Sequence, residues 1–135
     1  MNKLESAKKA LKEYWGWNEY YWFPLVPTTR SDLIAFDCRK LEKNLPEEDF
    51  EKFLEGFFNG NEVYVFPEHD EAHIELCSEY GYWFSELCIA EENLRNVVYW
   101  SHEGTVTLGG IKLIEKFKAS FPNYKDLICE LGEKL

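Results

Sequence analysis

The chain has 135 residues, 45% hydrophobic, 17% aromatic and 30% charged, with a net charge of −10. A chain this apolar folds, and at this length one core buries roughly two-thirds of the unfolded surface, which excludes disorder and predicts a single domain spanning residues 1–135. Residues 46–104 hold two Lys/Arg against fifteen Asp/Glu, a charge of −13, while residues 1–45 carry +2 and residues 105–135 carry +1; such a middle repels phosphate backbones, which argues against a conventional nucleic-acid binder and favours a basic protein partner.

The opening residues, MNKLESAKKALKEYW, have no apolar core of the kind a secretory signal needs, and no later stretch approaches the roughly 20 apolar residues of a membrane helix. A cytoplasmic protein without membrane contact is the expectation. Leu4, Ala7, Leu11, Tyr14 and Trp15 recur at helical spacing, so a helix is predicted over residues 2–15, ended by Gly16. Residues 17–23 (WNEYYWF), closing on Pro24 and Pro27, suit a buried extended piece, and residues 32–38 (DLIAFDC) read as a strand. Pro46 then starts the clearest helix: Glu47, Glu48 and Asp49 complement its dipole, Phe50, Phe53, Leu54, Phe57 and Phe58 form one face, and Asn59-Gly60 caps it.

Four strands are predicted next, over residues 62–66, 72–77, 80–90 and 96–102. Three are apolar on both alternating sets and want cover on both faces, whereas residues 72–77 alternate and read as an edge or one-sided strand. Residues 91–95 form a hairpin loop, residues 105–108 a short further strand, and Gly109-Gly110 opens two final helices. Ile111, Ile114, Phe117 and Phe121 face inward on the first of these, which Pro122 breaks; Tyr124, Leu127, Ile128 and Leu131 do so on the second. The sum is an α+β domain: a mostly antiparallel sheet of about five or six strands with N-terminal, middle and C-terminal helices packed on it.

The chain contains no nucleophile elbow and no phosphate-cradling glycine loop, and its four cysteines (Cys38, Cys77, Cys88, Cys129) lack CxxC spacing, so reduced thiols and no cofactor are expected. One string has a catalytic look. His69-Asp70-Glu71-Ala72-His73 sets two imidazoles four apart, which on a helix would hold a metal, with Glu75, Cys77 or His102 as a further ligand. It sits between predicted strands, however, where residues four apart lie about 13 Å from one another. A metal-dependent hydrolase using His69 and His73 is therefore the alternative and a polar loop the primary reading. A second alternative is an aromatic ligand-binding cleft built from Trp15, Trp17, Tyr20 and Trp22.

Tyr and Trp beside carboxylates are what protein interfaces use as anchors. Glu75, Glu79, Tyr80, Tyr82, Trp83, Glu86, Trp100 and Glu103 therefore form the candidate partner-binding patch. The closing pattern VVYWSH (residues 97–102), Glu103-Gly104, then IKLIEKF (residues 111–117), in a small, acidic, Trp- and Tyr-rich chain, resembles the bacterial immunity proteins of toxin–immunity pairs. The resemblance implies a non-enzymatic inhibitor that covers a basic toxin such as a nuclease. A surface of this charge would be steered to such a toxin with an on-rate raised by roughly 10- to 1,000-fold.

Overall fold

Seven strands form one fully antiparallel sheet in the order β3-β2-β4-β5-β6-β1-β7. They are β1 (Leu33–Asp37), β2 (Glu62–Pro67), β3 (His73–Leu76), β4 (Leu87–Glu91), β5 (Val97–Ser101), β6 (Thr105–Gly109) and β7 (Ile128–Glu133). This computed structural model describes residues 2–18, 22–24, 30–68 and 70–133. Helices α1 (Lys3–Ala10), α2 (Cys38–Asn44), α3 (Glu47–Phe58) and α4 (Ile111–Ser120) complete the α+β fold. Among the described residues no helix is long and apolar enough to cross a membrane.

Side-chain alternation along the strands builds two cores, one on each face of the sheet. On one face Ile34, Phe36, Ile89, Val98, Trp100, Val106 and Leu108 pack with Leu41 of α2, Phe50, Leu54 and Phe58 of α3, and Ile114 and Phe117 of α4. On the other, Leu33, Ala35, Tyr64, Cys88, Ala90, Val97 and Tyr99 pack with Ala7, Leu11, Trp15, Trp17, Trp22 and Phe23. Strands apolar on both alternating sets thus obtain the two-sided cover that their composition requires.

Local signals explain most element boundaries. The Asn2 side chain accepts the Glu5 N–H at 2.8 Å to cap α1. A π-turn at Leu11–Trp15 continues α1 and buries Leu11 and Trp15 before Gly16 ends it at φ 75°. α3 starts after Pro46 with three acids in its first turn and ends on Asn59 at φ 43°.

Two predicted elements differ, and one helix is not predicted. Helix α2 follows β1 without a break because Asp37 accepts the N–H groups of Arg39 and Lys40, while Cys38, Leu41 and Leu45 bury one face. The strand predicted over residues 80–90 is shorter: only Leu87–Glu91 pairs with its neighbours, and residues 80–86 are irregular because their backbone groups bond to side chains instead of a ladder. The second C-terminal helix is a 3-10 turn (Tyr124–Leu127) followed by β7. There β1 otherwise presents an open edge, and pairing it satisfies backbone groups that a lone helix would leave unpaired. The sheet accordingly has seven strands where about five or six are read from the sequence.

Candidate functional site

Residues 77–86 run irregularly between β3 and β4, yet almost every turn of this loop is tied down. The Glu55 carboxylate accepts the Glu79 N–H at 3.2 Å, and the Glu47 carboxylate accepts the Tyr82 N–H at 2.9 Å, both from α3. The Tyr82 hydroxyl donates to the Leu45 carbonyl at 2.7 Å, the Cys38 thiol donates to the Tyr82 carbonyl at 3.1 Å, and the Trp100 indole donates to the Gly81 carbonyl at 2.8 Å. Gly81 suits this crossing because a Cβ there would collide with the Glu47 side chain. Glu79 holds φ 57°, a left-handed conformation costing a non-glycine residue roughly 1–2 kcal/mol, which the surrounding bonds impose.

The pinned loop presents two aromatic rings to solvent. Trp83 is 50% exposed and Phe84 39%. Phe84 lies edge-on to Trp100 at 5.3 Å, and the Trp83 indole donates to the Glu42 carboxylate of α2 while its ring abuts Gly104. Glu79 within the loop and Glu103, next to Gly104, are exposed, and Glu75 accepts from the Tyr80 hydroxyl.

The fold therefore divides the predicted patch. Trp83, Glu75, Glu79 and Glu103 are at the surface, whereas Tyr80, Tyr82 and Trp100 lie in the core on the helix α3 side and support the loop from beneath. Burial raises the Tyr80 and Tyr82 phenols above the ordinary tyrosine range, helped for Tyr80 by its bond to Glu75, so both stay neutral donors.

Glu86 corrects the patch further: it is only 4% exposed. Its carboxylate accepts from the Tyr99 hydroxyl of the opposite core and from the His102 backbone N–H at 2.5 Å, and lies 2.6 Å from His102 Nδ1. A buried carboxylate with three partners is a structural anchor joining the start of β4 to the β5–β6 turn. The hydrogen bond to Glu86, followed by smaller attractions to Glu86, Glu103 and Glu68, holds the His102 pKa above its ordinary value. His102 Nε2 faces the Glu103 carboxylate at 3.0 Å, so both ring nitrogens are engaged by acids.

The remaining candidates sit elsewhere. His69 lies outside the described residues. His73 is exposed on β3, with Nδ1 3.1 Å from the Glu71 carbonyl and Nε2 3.5 Å from Glu75. Among the described residues, no group of three or more His, Cys, Asp or Glu is placed to hold a metal ion. Trp15, Trp17 and Trp22 are buried, with Trp15 edge-on to Trp22 at 6.1 Å and Trp22 to Tyr99 at 5.8 Å. They pack as core instead of lining an aromatic cleft, and Tyr20 lies outside the described residues.

Burial, reinforced by neighbouring carboxylates, pushes the Cys38 and Cys77 thiols up to about 12. Native protein near pH 8 is therefore expected to leave Cys38 and fully buried Cys88 unalkylated, with labelling appearing only in denaturant. Mass spectrometry after a timed iodoacetamide pulse reads this directly, and fast native labelling of Cys38 would contradict the packing described here.

Phe84, Glu42 and the pinning acids Glu47 and Glu55 are absent from the sequence-predicted patch. The aromatic run YGYWFSE (residues 80–86) signals Phe84, but nothing in the primary structure says that α2 and α3 supply the acids around it. The chain matches no family model, no curated protein and no solved structure.

Proposed function

We propose that this chain is a non-enzymatic protein-binding module of the cytoplasm, which captures a basic partner through the loop of residues 77–86. The partner class that best fits is a toxin such as a nuclease, with the chain as its immunity protein. The observation that carries the reading is the pairing of half-exposed Trp83 and Phe84 with a backbone fixed at both sides by α3 carboxylates and core aromatics. Such a surface loses little conformational entropy on association, and exposed rings set among carboxylates suit arginine and lysine side chains. The charge of −13 over residues 46–104 adds long-range attraction to a partner that must itself be positive to hold phosphates.

Photo-crosslinking tests the proposal. With a benzophenone amino acid at position 83, crosslinks in the native host are expected to capture a basic protein; the same group at exposed Ile111 on α4 serves as the control. Once the partner is purified, Trp83→Ala with Phe84→Ala is expected to weaken binding by about 30-fold or more, as for central aromatic anchors. Glu79→Lys with Glu103→Lys is expected to slow association by about tenfold at low salt, an effect that fades at high salt. Equal capture at positions 83 and 111, or association indifferent to salt, would sink the reading.

A further inference from the structure

Among the described residues, no strand pairs with the outer side of β3, at one edge of the sheet. Strand β3 pairs with β2 on one side, Glu62 opposite Leu76 through Val65 opposite His73. Along its other side, none of its four residues makes a further backbone–backbone hydrogen bond among the described residues. All four are exposed, including Ile74 at 39% and Leu76 at 56%. At the opposite edge, by contrast, Lys40 Nζ donates to the Ile128 carbonyl of β7 at 2.9 Å.

An open edge carrying two exposed aliphatic residues is a template for another strand, and proteins guard such edges against their own copies. Here the guard is an excess of negative charge. Asp70 and Glu71 precede β3, Glu75 lies within it and Glu79 follows it. At the Leu76 end of the strand, where β2 begins and β4 ends, a groove of about 570 Å³ adds Glu62, Glu91 and Glu92. A second copy of this acidic chain would be repelled, whereas an extended basic segment meets attraction from Glu75 within the strand and from the acids that flank it. Alternation sets the complementary pattern: Ile74 and Leu76 share the face of Tyr64, and His73 and Glu75 share the face of Val63 and Val65. A paired segment would therefore lay apolar residues along the first face and cationic residues along the second.

We infer that the free edge of β3 receives an extended segment of alternating apolar and basic residues from the partner, as an eighth strand of the sheet. This rests on the reading of the chain as a module for a basic partner, and it adds the geometry of the contact: backbone pairing beside the Trp83 loop in sequence, not electrostatic attraction alone.

Three capped peptides test it against the full-length chain. The first alternates Val and Arg, the second has the same sequence with alternate backbone nitrogens methylated, and the third carries Glu in place of Arg. The Val/Arg peptide is expected to bind, measured by fluorescence anisotropy, and to slow amide exchange within His73–Leu76. Methylation removes the backbone donors and is expected to cost at least about tenfold in affinity, and the Glu peptide is expected not to bind. Ile74→Lys and Leu76→Lys, both at exposed positions, are expected to weaken the Val/Arg peptide without altering thermal unfolding. If the methylated peptide binds equally well, strand pairing is overturned while an acidic docking surface survives. If the Val/Arg peptide binds without protecting β3, or fails to bind, the edge proposal is overturned, and crosslinking from position 83 decides the broader reading separately.

Discussion

Replacing Trp100 with Ala is expected to lower the stability of the fold by about 3–5 kcal/mol, the usual cost of deleting a large buried aromatic side chain. Trp100 is completely buried and touches two structures at once. Its ring packs against Tyr80 at 5.5 Å and Phe84 at 5.3 Å, and its indole N–H holds the Gly81 carbonyl at 2.8 Å. The substitution leaves a cavity beneath residues 80–84 and an unpaired carbonyl beside it, so loop order and global stability fall together. For a chain of this size the loss corresponds to roughly 10–20 °C in Tm. Trp100→Phe separates the contributions: most of the apolar contact stays, the hydrogen bond goes, and the expected cost is about 1–3 kcal/mol. Chemical denaturation gives the stabilities, and amide exchange of residues 79–84 gives the loop order. A stable Trp100→Ala protein with unchanged loop protection would show that the bonds to α2, α3 and Leu45 hold the loop without Trp100.

Glu86→Ala is expected to cost roughly 2–5 kcal/mol, because it removes the carboxylate that accepts from the buried Tyr99 hydroxyl and from the His102 backbone N–H. Glu86→Gln keeps one acceptor oxygen and is expected to cost less, but it alters the pH dependence in a defined direction. The His102 pKa is raised in the folded protein, chiefly by its hydrogen bond to Glu86, with Glu103 and Glu68 adding attraction. A raised folded pKa contributes stability that is full below the unfolded value near 6.5 and is lost as pH rises through the folded value. Wild type is therefore expected to lose stability from about pH 6 upward through this group, by less than about 1 kcal/mol because the imidazole is largely solvated. Glu86→Gln removes the largest cause and should flatten that slope. Urea titrations from about pH 5.5 to 8.5 measure it, and an unchanged slope in Glu86→Gln would mean that His102 is not the titrating group.

The candidate site was legible in its chemistry and illegible in its geometry. Eight positions are picked out by their residue types, and Trp83, Glu79, Glu75 and Glu103 do reach the surface. Tyr80, Tyr82 and Trp100 do not, because a half-polar ring beside acids has the same composition whether it anchors a partner or plugs a core. Glu86 differs from Glu79 only in what surrounds it: Tyr99 and the β5–β6 turn close over one carboxylate and water over the other. The HDEAH string shows the reverse case, in which neighbouring strand patterns removed the helix that its metal spacing presupposes; β3 indeed begins at His73.

By itself the sequence determined the α+β class, the two-sided burial of the central strands, the phenylalanine face of α3, the edge character of β3 and the concentration of negative charge in the middle of the chain. These follow from periodicity and composition, which act over a few neighbouring residues. The tertiary structure alone decided that residues 80–86 are a loop, that residues 128–133 form strand β7, and that Glu86 is a buried anchor reaching the hydroxyl of Tyr99. In each case the deciding partner lies far along the chain: Glu47 for the Tyr82 backbone, β1 for the open bonds of β7, and Glu86 for the Tyr99 hydroxyl. Backbone groups must find acceptors and donors wherever the fold brings them, and no local pattern records those long-range bonds.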